Sequence, residues 1–335
     1  MASEIPPYQL QELIAEVFSD VPHTTVQGIQ IKCAQALGIQ TPVILADKPN
    51  LASGSELYVG CSNGELMRFA VQADDPRVES YTILSRQSLP NDKPVEEIAL
   101  LPSISRALVL SDNQIHFYTL PSLDVVTGIK PIRHVVTFAV DQRFLSRSPS
   151  SGHQKTEPDI PLPQGATLAR RFGSNLCFSD KVNYNMLNLE TAEMLPCMPF
   201  NQDFDSPNLP VEPFIVSTGE DDFLLVSWTG QSSLGIFLST SGDPVRGTVT
   251  WAQHPISICL DLPQVIAILP NGSVEIHNID TQSLVQVIPP PSGNGPMDRV
   301  RLVSALSGYV VPSTQGASQI QKVPIKLRRG PSAQP

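Results

Sequence analysis

The chain has 335 residues, a formal net charge of −10 and a sequence pI near 5.0, a balance that argues against a phosphate-tracking surface and so against nucleic acid as the main partner. Hydrophobic residues make up 41%, enough for a sizeable core, while charged residues are only 16% and prolines number 32, which fits a loop-rich β protein better than a helical one. No apolar run approaches ~18 residues, and the first residues lack a basic region followed by an apolar one, so neither a secretion signal nor a membrane span is expected.

Residues 1–50 read as an N-terminal extension. Leu10, Ile14 and Phe18 stand at four-residue steps with Leu13 and Val17 beside them, which predicts a short amphipathic helix. Its expected place is against the flank of the following domain.

From residue 51 a repeat sets in. Each copy is an apolar run, a polar turn and a second run of alternating character. Leu57–Cys61 leads through Asn63-Gly64 to Glu65–Phe69, and Ala107–Leu110 leads through Asp112-Asn113 to Gln114–Tyr118. Leu176–Phe178 leads to Val182–Leu187, Phe223–Val226 to Leu234–Leu238, and Val265–Ile268 through Asn271-Gly272 to Val274–Ile279. A weaker copy joins Tyr309–Val311 to Ile320–Val323. The apolar run predicts a strand buried on both faces, and Asn-Gly or Asp-Asn tolerates the positive φ of a tight hairpin turn. One such hairpin cannot hide its own core face, so copies must stack. Most steps between copies are close to the ~40–45 residues of a four-stranded propeller blade. Further strands are expected at Val95–Leu101, Val135–Val140 and Pro255–Leu260.

The step from Ala107 to Leu176 is too long for one blade and too short for two. It contains residues 143–165, rich in Ser and Pro, which read as a disordered surface loop, most clearly over Ser146–Glu157. Residues 200–212, with Pro207 and Pro210, and residues 289–296 are further loops. The tail 328–335 reads as flexible.

No catalytic signature is present: no nucleophile elbow, phosphate-binding loop, HExxH or dinucleotide fingerprint. His23, His116, His134, His153, His254 and His277 lie at no metal-ligand spacing, and His116 and His277 occupy equivalent places in two copies, which points to a strand role. Cys33, Cys61, Cys177, Cys197 and Cys259 include no CxxC pair and sit mostly in apolar runs, so buried reduced thiols are expected. Glu220, Asp221 and Asp222 could hold Ca²⁺ at a loop, but solvated turn carboxylates are the simpler reading. Asn271-Gly272-Ser273 is read as turn chemistry, Lys326–Arg329 as a solvated basic terminus, and Trp228 and Trp251 as core residues or interface anchors, with core favoured. No catalytic, cofactor-binding or metal residue is assigned, and partner-binding residues are unknown from sequence.

The run LYVGCSNGEL from Leu57 to Leu66 resembles the opening strand pair of citron-homology (CNH) domains. Lys93–Ile98 followed by Arg106–Asn113 resembles the second unit of the same family, in its vesicle-tethering branch with the TGF-beta receptor-associated and fungal vacuolar-sorting proteins. Gly165–Arg171 and Glu212–Val216 also resemble fungal members. The resemblance covers about residues 53–311 and implies an all-β propeller of about seven blades at 51–327, the N-terminal part of a longer tether whose α-solenoid is absent here. It implies a non-catalytic scaffold of CORVET- or HOPS-type tethering, binding a Rab-type small GTPase or other tether subunits. Such a scaffold needs no cofactor or nucleic acid and is cytoplasmic, peripheral on endosomal or vacuolar membranes through its partners. The alternatives are a CNH module of a signalling protein that binds small GTPases, and a propeller hydrolase. Because copies are few and the interval after Val140 is short of strands, the chain is expected to lack most of one blade, leaving unpaired edges at Val135–Val140 and Leu168–Cys177.

Overall fold

The computed structural model describes residues 8–12, 29–37, 56–75, 78–141, 159–206, 210–218, 221–261, 263–290, 303–305, 308–311 and 325–329. The first strand is β1 (Tyr8–Glu12). β2 (Ile31–Leu37), β3 (Glu56–Cys61), β4 (Glu65–Asp75) and β5 (Val78–Ser88) form a sheet in that order. β6 (Glu97–Leu101), β7 (Arg106–Ser111), β8 (Gln114–Thr119) and β9 (Ile132–Arg133) form the next. Then come β10 (Leu168–Phe172), β11 (Asn175–Ser179), β12 (Asn183–Asn188) and β13 (Met194–Pro199). β14 (Phe214–Ser217), β15 (Asp222–Trp228), β16 (Ser233–Ser239) and β17 (Val249–Trp251) follow. β18 (Ser257–Asp261), β19 (Gln264–Ile268), β20 (Val274–Asn278) and β21 (Ser283–Ile288) make the fifth consecutive sheet. β22 (Val303–Ala305), β23 (Gly308–Val311) and β24 (Ile325–Arg329) join β1 in the order β1-β24-β23-β22.

The described residues therefore form five sheets of four consecutive strands and a sixth drawn from both ends of the chain, rather than about seven. The expected N-terminal helix is also corrected over residues 8–12, while its remainder, residues 13–18, lies outside the described residues. Tyr8–Glu12 is a strand paired in antiparallel register with β24, from Tyr8 opposite Arg329 to Glu12 opposite Ile325. Apolar residues in so short a run fit either period, and a ladder partner supplies bonds that a lone helix of that length could not offset. The helical element among the described residues is one 3₁₀ turn, Pro102–Ile104.

The hairpins fall where the turn chemistry puts them. Asp112 and Asn113 both take positive φ, 51° and 55°, the conformation of a two-residue primed turn. Gly64 and Gly272 take φ of 82° and 80° and close turns by donating to the carbonyls of Cys61 and Leu269. The burial of the strands follows their place in each sheet. Second strands such as β15 and β19 are almost wholly buried, while fourth strands β13 and β21 face solvent over much of their length. In three sheets the pairing of third and fourth strands shifts register, between Arg68 and Phe69, Tyr184 and Asn185, and Ile276 and His277. A bulge there raises local twist and spoils the outer edge as a template for further pairing.

The chain divides into two compact units, one of Met1–Leu100, Arg106–Pro131 and Pro289–Pro335, the other of Leu101–Ser105 and Ile132–Ile288. In the first, Tyr58, Leu66, Val95, Ala107, Val109 and Tyr118 belong to one buried cluster. Gly60 is required there: a Cβ would stand 2.4 Å from Val95 Cγ1 and 2.7 Å from Cys33 Sγ.

In the second unit, Cys177, Tyr184, Ile215, Phe223 and Leu225 pack between the β10–β13 and β14–β17 sheets. Leu224, Val226, Phe237, Trp251, Val265 and Ala267 pack between the latter and β18–β21. Each fully buried Val, Leu, Ile or Phe among them contributes ~1.5–3 kcal/mol of transfer free energy. Val135–Val140 is not a strand. It runs irregularly, with Val136 exposed, and ends in a single parallel bridge from Asp141 to Arg171. β10 is an end strand of its sheet, met on its free side by that single bridge. Ala139, Ile160, Leu162 and Ala166 from irregular chain pack against Ala169, Phe178 and Leu187. Residues 142–158, including the loop expected to be disordered, lie outside the described residues.

Candidate functional site

Loops at one end of the second unit converge on β15. After β13 the chain turns at Phe200, whose carbonyl accepts from Trp228 N at 2.9 Å, and Gln202 N donates to Trp228 O at 2.7 Å. The Gln202 amide donates to Ser227 Oγ at 2.9 Å, and that hydroxyl donates to Pro199 O at 2.8 Å. Beyond this anchor the chain makes a tight turn. Asn201 Oδ1 accepts from Asp203 N at 2.9 Å, and Asp203 Oδ1 accepts from Asp205 N and Ser206 N, both at 3.0 Å. Side-chain carboxamides and carboxylates of this kind satisfy the backbone of a turn and hold its shape. Phe204 at the tip is 91% exposed.

Beside this turn, Pro210, Val211, Trp228, Gln253, His254 and Pro270 line a mostly apolar cleft of about 260 Å³. His254 fixes its floor. Nε2 lies 2.8 Å from the Glu212 carbonyl, an acceptor only, so Nε2 carries the proton and donates. Nδ1 then accepts from the buried Ser233 hydroxyl at 2.8 Å. Both bonds are made by the neutral ring, and burial pushes the His254 pKa below its ordinary value, against an opposing pull from Glu212. The ring also packs against Phe214 and Trp228, with centroids 5.5 and 6.3 Å away.

Residues singled out from sequence are mostly structural. His116 lies half-buried on β8, its pKa lowered by burial with Asp112 opposing. His277 is buried, 3.0 Å from Glu275 Oε2, and meets the Trp251 ring edge-on at 5.7 Å. His134 is exposed at positive φ, while His23 and His153 lie outside the described residues. None of the five cysteines is in a disulfide. Four are buried and Cys197 is partly exposed, with burial raising the thiol pKa of Cys61 and Cys177. Asn271 turns its carboxamide oxygen onto Ser273 N at 2.9 Å, which is turn chemistry. Lys326–Arg329 belongs to β24.

The acidic cluster is corrected in part. Glu220 lies outside the described residues and Asp221 is exposed, but Asp222 is buried rather than solvated. Its Oδ2 is 2.9 Å from Arg246 Nε and its Oδ1 accepts from the Thr218 hydroxyl. Among the described residues no group of three or more His, Cys, Asp or Glu is placed to hold a metal ion, and no helix is long and apolar enough to cross a membrane.

Trp251 is the core residue the sequence suggested, fully buried, whereas Trp228 is half-buried and lines the cleft. The remaining cleft residues and Phe204 were missed. They sit in segments legible only as loops, and the one available signal was an aromatic flanked by two aspartates between prolines.

Three known proteins or structures bear on this site. Mouse transforming growth factor-beta receptor-associated protein 1 is 22% identical over 316 residues, covering 84% of this chain and 36% of that protein. The vacuolar protein sorting-associated protein 3 of Saccharomyces cerevisiae is 22% identical, covering 67% of this chain and 23% of its own length. The chain thus spans about a third or less of the curated relatives it matches. In structure it is similar to the AfRom2 CNH domain, with a TM-score of 0.53 at 15% identity over 96% of this chain and 98% of that one, which shows the β-propeller fold alone. Residues 168–289 match the VPS3 N-terminal domain, a stretch that runs from the start of β10 to just past β21 and holds every residue of the cleft. The chain is therefore a β-propeller whose residues 168–289 match the VPS3 N-terminal domain and whose sequence is similar to vacuolar-sorting and TGF-beta receptor-associated proteins.

Proposed function

We propose that this chain is a non-catalytic protein-interaction scaffold in endosomal and vacuolar vesicle tethering, engaging a Rab-type small GTPase or other subunits of a CORVET- or HOPS-type complex. The observation that carries the reading is the VPS3 N-terminal domain over residues 168–289. The described structure adds what binding needs: rigid sheets, and a surface of loops held by side-chain caps around an apolar cleft. Membrane association in this reading is peripheral and comes through the partners.

The test is a pull-down with the chain immobilised against endosomal Rab GTPases loaded with GDP or a GTP analogue, and against purified tether subunits. The expected result is retention of at least one tether subunit, or of a Rab protein in one nucleotide state. Retention of neither class removes the proposal.

A further inference from the structure

We propose that the loop end of the second unit, with Phe204 protruding and the Trp228 cleft beside it, is a docking surface for a cationic, apolar segment of a protein partner. The inference rests on the protein-interaction reading above and adds the place and the chemistry of contact.

Phe204 is exposed at a cost in free energy. A phenylalanine that is 91% exposed forgoes its transfer free energy, and here it is not on a slack loop. Asn201 and Asp203 cap the turn on both sides of it, and Gln202 ties the turn to β15. An aromatic held out on a pre-ordered turn loses little further entropy on binding, the property of an interface anchor. The cleft supplies the complement, an apolar recess large enough for one or two side chains of a partner. Trp228 belongs to both features: its backbone bonds the turn and its side chain lines the recess. Val182 on the neighbouring β11–β12 turn, whose carbonyl accepts from Phe200 N, adds a further exposed apolar residue.

Charge selects the occupant. The described segments forming this end, residues 200–206, 210–213, 228–233, 252–256 and 269–273, contain Asp203, Asp205 and Glu212 and no lysine or arginine. Lys181, next to Val182, is the one cation on the adjoining turn. His254 is engaged as a neutral ring and adds no positive charge. An acidic rim around apolar contacts repels anionic surfaces and favours a segment with Lys or Arg flanking a large apolar side chain. Asp203 uses Oδ1 for the turn, and an asparagine there would keep that acceptor while removing the charge.

The experiment pans a random peptide library against the full 335-residue chain, then titrates the enriched peptides by fluorescence anisotropy. The expected peptides pair Lys or Arg with Leu, Phe or Trp. Phe204→Ala should weaken them about tenfold or more with unchanged melting temperature, since the ring has little to lose in the fold. Asp203→Asn with Asp205→Asn should weaken them several-fold and flatten the salt dependence. Val211→Ser tests the recess by the same titration and should also weaken binding. Enrichment of nothing, enrichment of acidic peptides, or equal binding by Phe204→Ala overturns the surface. If peptides bind as expected but no Rab protein or tether subunit is retained, the tethering reading fails and the surface stands. The reverse result removes the surface alone.

Discussion

The phenol of Tyr184, on β12, donates to the carbonyl of Val226, on β15, across 2.7 Å. The same oxygen accepts from Phe214 N at 2.8 Å, and Phe214 and Val226 face each other at the end of the β14–β15 ladder. One hydroxyl from the preceding sheet thus bridges the last pair of the next. The site is fully buried, and burial raises the phenol pKa. Tyr184→Phe keeps the ring and its edge-on packing against Phe200 but leaves a buried N–H and carbonyl unbridged. The expected loss is about 1–3 kcal/mol, read as a lower urea midpoint with unchanged slope. A midpoint equal to wild type would mean the bridge is dispensable.

Gly235 lies under the Trp251 ring. A Cβ at this position would stand 2.8 and 2.9 Å from the outer ring carbons and 3.0 Å from Leu224 Cδ1. Gly235→Ala overpacks a fully buried cluster and should cost about 1–3 kcal/mol. Trp251→Phe deletes the clashing part of the indole, so the two substitutions should be less than additive in thermal melts. Strict additivity counts against the contact.

Asp222 is buried, with Arg246 and the Thr218 hydroxyl as partners, while Arg246 also reaches the exposed Asp280 at 3.6 Å. Arg246→Ala strands a buried carboxylate and should destabilise by about 1–3 kcal/mol. Asp222→Asn in that background should recover part of the loss, because a neutral amide tolerates the site better than an unpaired charge. A double variant worse than the sum of both singles argues for some other role.

His254 gives stability a pH dependence of definite sign. Its folded pKa lies below the ordinary 6.5, so between the two values the unfolded chain binds more protons than the folded one. Stability is therefore full above about pH 6.5, falls as pH drops below it, and levels once the folded ring itself protonates. His116 is shifted the same way. Urea midpoints followed downward from neutral pH should decline, and His254→Gln should flatten that decline without abolishing it. An unchanged profile in the variant means the ring does not titrate as its surroundings imply.

Turn chemistry and strand burial were legible because each is a local matter. Asp112-Asn113 and Asn271-Gly272 announce hairpins by their tolerance of positive φ, and the wholly apolar Phe223–Val226 announces a strand with neighbours on both faces. What depended on a distant partner was not legible. Tyr8–Glu12 is a strand because residues far along the chain pair with it, and Val135–Val140 is irregular, with only Asp141 just beyond it bridged to β10. The cleft was hidden for the same reason: Val211, His254 and Pro270 come from separate loops and Trp228 from the end of β15, and only the stacking of sheets brings them together.

The sheet shared by the two ends has a temporal consequence. Tyr8 pairs with Arg329, so β1 has no neighbour in its sheet until synthesis has reached β24. The five other sheets draw on consecutive strands and can form as the chain emerges, each closing only short loops. Until then β1 is an unclaimed strand, open to pairing with whatever edge it meets, and this sheet is completed only when β24 is made.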